Sequence, residues 1–95
     1  MGITPKLKEK LDRAVDYLKA RGCTRVLFGS FAEGRAHDNS DIDLAIIGLP
    51  DSEFYRTVAQ LPTLLVREVD LVDLNDVTPY FRKWVETGGV VLYAA

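Results

Sequence analysis

Apolar side chains near the start of the chain recur at Leu7, Leu11, Ala14, Val15 and Leu18, with the charged residues mostly off that stripe. Spacing of three and four places these groups on one helical face, so residues 5 to 21 are predicted to be a helix that Gly22 stops. The period then changes. Thr24 to Phe28 reads as a short strand running into Gly29-Ser30, and Asp41 to Ile47 as a second strand ended by Gly48 and Pro50. Asp51 or Ser52 caps a predicted helix through about Gln60, bounded by Pro62, and Leu64 to Leu74 reads as a third strand. Thr78 before Pro79 starts another helix, with Tyr80, Phe81, Trp84 and Val85 as its apolar face and Gly88-Gly89 as its stop. Val90 to Tyr93 is a last strand or a docking segment. Helices alternate with strands, with no repeat or linker between them, so residues 1–95 are expected to form one domain with a layer of helices on one sheet.

Composition narrows the functional classes. Twelve basic and fourteen acidic side chains give a formal charge of -2, so no global positive field draws the chain to a nucleic-acid backbone. Any nucleotide must be handled locally. The lone Cys23 excludes an internal disulfide, and no apolar run is long enough to span a bilayer. A cytoplasmic protein without a membrane role is the expectation.

The stretch GSFAEGRAHDNSDIDLAII, residues 29 to 47, carries the candidate chemistry. Successive strand side chains point to opposite faces, so Asp41 and Asp43 share one face while Ile42, Leu44 and Ile46 share the other. Backbone positions roughly 6 to 7 Å apart leave two ionised carboxylates repelling each other unless a cation lies between them. Hard oxygen ligands on a rigid strand suit Mg²⁺, which takes one or two protein carboxylates and completes its shell with water and phosphate. Taken alone, Asp-x-Asp at a loop-to-strand junction also reads as a solvated strand cap. Gly29-Ser30 follows a strand, where a backbone turn offers N–H groups and a hydroxyl to an anion, although the same dipeptide also makes an ordinary turn. Together the two features bind opposite charges of one ligand, a Mg-nucleotide.

Other motifs fail. Gly34 is followed by Arg35-Ala36, which is not a Walker loop, and an EF-hand begun at Asn39 would put Leu44 at its glycine and Pro50 at its glutamate. Cys23 and His37 alone do not make a zinc site. His37 reads as a solvated loop residue. Phosphoryl-type transfer with two metals calls for a further acid, and Val69-Asp70-Leu71-Val72-Asp73 offers two. Asp70 is preferred, because a mid-strand carboxylate is held more rigidly than Asp73 at the strand end. A surface pair with Arg67 is the plainer alternative for Asp70.

With Gly29-Ser30, Ala32, Gly34, Ser40-Asp41-Ile42-Asp43-Leu44 and Val69-Asp70-Leu71-Val72 in view, the chain resembles the minimal nucleotidyltransferases of the DNA polymerase beta superfamily. The resemblance covers essentially the whole chain. It implies an α+β nucleotidyltransferase fold, a small mixed β-sheet with helices packed on one face. It assigns Gly29, Ser30 and Ser40 to the nucleotide, and Asp41, Asp43 and Asp70 to catalysis and to two Mg²⁺ ions. Such domains are similar to antitoxins paired with helical HEPN toxins. The implied reaction is transfer of AMP from ATP to a hydroxyl, most simply a tyrosine of the HEPN partner. Glu33 departs from relatives that carry a basic residue there, with Arg35 as its compensation. A non-catalytic antitoxin that neutralises its partner by contact, through Tyr80, Phe81, Trp84 and Val90 to Tyr93, is the alternative. A glycosyltransferase would need more chain than this. The acceptor site is expected to be completed by the partner or by a second copy.

Overall fold

The computed structural model describes residues 4–29 and 42–95. The elements run α1 (Pro5–Ala20), β1 (Arg25–Phe28), β2 (Ile42–Ile47), α2 (Asp51–Leu65), β3 (Val69–Asp73), α3 (Pro79–Gly88) and β4 (Val90–Ala94). They build a four-stranded sheet in the order β3-β2-β1-β4. β1 is antiparallel to both β2 and β4, while β2 and β3 are parallel. The sheet is therefore mixed and the class α+β, as expected.

α1 starts where the Thr4 hydroxyl accepts the Leu7 N–H at 3.1 Å and Pro5 takes the first helical position. It ends in a Schellman closure. The Gly22 and Cys23 amides donate to the Lys19 and Leu18 carbonyls, each at 3.1 Å, and Gly22 takes φ +100°, the left-handed conformation that the closure needs. Leu11, Ala14 and Leu18 are buried against Ile42, Leu44 and Ile46 of β2 and against Leu61 and Leu65 of α2. Burying those leucine and isoleucine side chains contributes about 1.5–3 kcal/mol each.

α2 runs past its expected end. Pro62 lies inside the helix rather than bounding it. Its missing N–H costs one helical bond, yet Leu61 and Leu65 are both 0% exposed, and their burial holds the last turn in place. Residues 64 and 65 are consequently helical, and the third strand begins only at Val69.

α1 and α2 cover one face of the sheet, where the larger core lies. α3 covers part of the other face through Phe81 and Val85, which pack with Leu27, Ala45 and Val72. The expectation of helices on one face thus describes α1 and α2, whereas α3 lies across the opposite face on the way from β3 to β4. Tyr80 and Trp84 were expected in its apolar face. Instead they are 85% and 45% exposed. Leu92 is the extra residue of a bulge against β1, where Val26 pairs with Tyr93 and Leu27 with Val91, so consecutive Leu92 and Tyr93 both reach the larger core. Among the described residues, no helix is long and apolar enough to cross a membrane.

Candidate active site

On the face that α3 partly covers, the strands carry side chains in parallel rows. Arg25 of β1 stands opposite Ile47 of β2. Two residues along, Leu27, Ala45 and Val72 form a second row across β1, β2 and β3. Two residues further comes a third row: Gly29, whose N–H donates to the Asp43 carbonyl at 3.2 Å, then Asp43, then its registered partner Asp70. Registered residues of parallel strands point to the same face, and the strands lie about 4.8 Å apart. Three of the expected site residues, of which Gly29 and Asp70 are 41 positions apart in the chain, therefore meet in one line.

The anchoring of this row is hydrophobic. Ile42 and Leu44, on either side of Asp43, are 1% and 0% exposed on the opposite face, so the strand cannot rotate its carboxylate away without exposing them. Asp43 itself is half-buried and Asp70 is exposed on β3, an edge strand. Gly29's amide is a member of the ladder, engaged with the Asp43 carbonyl, rather than the open turn donor that the sequence leads one to expect. Ser30, Ser40 and Asp41 lie outside the described residues, as does His37.

Asp73 plays a different part. It is 8% exposed at the far end of β3, and its Oδ1 accepts the Asn75 amide at 2.9 Å, so it shapes the turn into α3. Cys23 is also remote from the acid row, since its neighbour Thr24 bonds to Ile47 at the other end of β2. Burial, reinforced by the charge of Asp73, pushes its thiol up from 9.0 to about 11. A thiol so protonated is a poor metal ligand.

Among the described residues, no group of three or more His, Cys, Asp and Glu side chains could hold a metal ion. The described part of the row supplies two carboxylates, Asp43 and Asp70. That donor set fits a hard cation such as Mg²⁺, which needs only one or two protein carboxylates when phosphate oxygens supply the rest.

Over residues 6–95 the sequence matches the family described as polymerase beta, nucleotidyltransferase. Protein adenylyltransferase MntA of Shewanella oneidensis is 36% identical over 70 residues, which are 70% of this chain and 50% of that protein. The chain thus spans about half the length of this curated relative. A toxin-antitoxin crystal structure with AMP-PNP superposes with a TM-score of 0.69 at 27% identity, covering 97% of this chain and 75% of that one. A complex of a tri-AMPylated Shewanella oneidensis HEPN toxin with an MNT antitoxin superposes with a TM-score of 0.72, covering 93% of this chain and 72% of that one. At 20% identity, the latter likeness concerns the fold alone.

Proposed function

This chain belongs to the polymerase beta nucleotidyltransferase family, and on that premise we propose that it transfers AMP from ATP to a hydroxyl acceptor, a tyrosine of a HEPN partner toxin. The observation that carries the proposal is the register of Asp43 with Asp70 on adjacent parallel strands, beside Gly29. Support comes also from the relatives: one is named a protein adenylyltransferase, and one was crystallised with AMP-PNP.

In this reading Asp43 and Asp70, with Asp41, hold two Mg²⁺ ions, and Gly29, Ser30 and Ser40 receive the nucleotide. When bound, the ions supply charge neutralisation at the triphosphate and a lowered pKa for the attacking hydroxyl. The chain's own contribution is alignment. Asp43 is fixed by the buried Ile42 and Leu44 on either side, so its carboxylate is preorganised before nucleotide arrives. Asp70 stands on an edge strand, which leaves its outer side open to an acceptor. In this reading its carboxylate receives the hydroxyl proton as the acceptor oxygen bonds to the α-phosphorus and the bond to pyrophosphate breaks. Residues 1–95 act as one nucleotidyltransferase domain, and a protein partner completes the acceptor side by approaching along the open edge of β3.

The test is to incubate the protein with α-labelled ATP, Mg²⁺ and the HEPN protein encoded beside it. Label on a partner tyrosine, lost with Asp43→Asn and with Asp70→Asn, is the expected result. Absence of label, with the partner still neutralised by both variants, would replace transfer by simple contact.

A further inference from the structure

The three rows on the α3 face fix which way that helix turns its flanks. Phe81 and Val85 rest on the second row, Leu27, Ala45 and Val72. Glu86 accepts from Arg25 Nη1 at 3.0 Å, and Arg82 Nε lies 3.5 Å from the same carboxylate, so the Arg82 and Glu86 flank faces the first row. At 100° per residue, Tyr80 and Trp84 lie on the flank opposite Arg82 and Glu86. That flank faces the third row, where Gly29, Asp43 and Asp70 stand. α3 also follows β3 and leads into β4, at the two edges of the sheet, so it crosses the face obliquely and leaves the β3 corner with the acids beside this flank.

Trp84 is therefore an aromatic side chain, 45% exposed, at the margin of an acidic row. Phe81 backs it, with ring centroids 5.7 Å apart and planes tilted by 43°. The bland explanation is incomplete burial in a small protein, but that predicts no preference for this flank over the other. An indole face binds no phosphate. It does bind the flat surface of a nucleobase, with a strength that favours the larger rings and is tolerant of their hydrogen-bonding edges. Rows two residues apart along a strand are separated by roughly 7 Å. That is the scale of the reach from an α-phosphate, across ribose, to its base.

Resting on the nucleotidyltransferase reading above, we infer that Trp84 is the platform on which the base of the bound nucleoside triphosphate stacks, making it a positioning residue that favours purines over pyrimidines. The phosphates lie at the third row and the base folds back toward α3.

Trp84 is the chain's single tryptophan, so its fluorescence reports on the site directly. With Mg²⁺ present, the protein is titrated with ATP and with inorganic tripolyphosphate, and both are followed by fluorescence and by calorimetry. ATP is expected to quench the emission, whereas tripolyphosphate binds without quenching. Trp84→Ala should weaken ATP about ten-fold or more while leaving tripolyphosphate within about two-fold, and Trp84→Phe should retain most of the ATP affinity. ATP binding of unchanged affinity in Trp84→Ala, or binding in the wild type without any change in emission, would overturn the inference and leave the proposed reaction standing. No heat with either ligand in the wild type would overturn both.

Discussion

At Gly48 the backbone leaves β2 with φ +98°, and a Cβ there would sit 2.8 Å from Thr24 Oγ1 and 3.0 Å from the Thr24 amide nitrogen. Both the conformation and the contact demand glycine. Gly48→Ala should cost about 2 kcal/mol or more, read as a lowered denaturation midpoint, since a left-handed non-glycine residue alone costs about 1–2 kcal/mol. Cys23 gives a pH-dependent counterpart. Its thiol titrates at about 11 in the fold against an ordinary 9.0, so the unfolded chain loses the proton first as pH rises. The associated stability is complete below pH 9 and is lost progressively toward pH 11. The stability difference between the wild type and Cys23→Ala should shrink across that window by up to about 2–3 kcal/mol, measured by denaturation at a series of pH values. Comparison with the variant removes the background titration of lysines and tyrosines.

Among the elements, the end of α2 stores strain. Val66 closes it at φ 55° and ψ 43° while 77% exposed, so a β-branched side chain occupies a left-handed cap with little burial to compensate. Lys10 Nζ reaches the Leu65 carbonyl at 2.6 Å and satisfies part of the same helix end. Val66→Gly should raise stability by about 0.5–1 kcal/mol, with an unchanged denaturant slope as the control. This stretch also shows where sequence reasoning stops. Pro62 was legible as a helix boundary on local grounds, and the burial of Leu61 and Leu65 under α1 overrode it. α1, β1, β2 and the start of α3 were legible because their signals are local: the Thr78 cap, the apolar stripe, and the glycines that end each element. α3's inward face was not. Tyr80, Phe81, Trp84 and Val85 all read as apolar, and only the sheet beneath decides that Phe81 and Val85 face it. For the same reason the sequence does not separate the half-exposed Trp84 from its buried neighbours on that helix. Asp70 was preferred to Asp73 from rigidity alone. What strand identity could not supply was the parallel register that puts Asp70 beside Asp43 rather than one step away.

For the molecule as a whole, two layers with separate tasks emerge. α1 and α2 seal the larger core on one face, and the other face is left to α3 at one end and to the acid row at the other. Asp70 is exposed on an edge strand, so replacing it should cost little stability, and under the proposed reaction its loss is read in transfer instead. Asp70→Asn should leave the denaturation midpoint within about 0.5 kcal/mol of the wild type, as surface substitutions do, while transfer falls by about 100-fold or more. The most direct measurement is crystallographic: the protein with a non-hydrolysable ATP analogue and Mn²⁺ in place of Mg²⁺, with data collected for the anomalous signal of manganese. The account predicts a peak within bonding distance, about 2.0–2.3 Å, of carboxylate oxygens from both Asp43 and Asp70, with phosphate oxygens completing the shell. Nucleotide bound elsewhere on the molecule, or bound at this row with no manganese against either carboxylate, would contradict it.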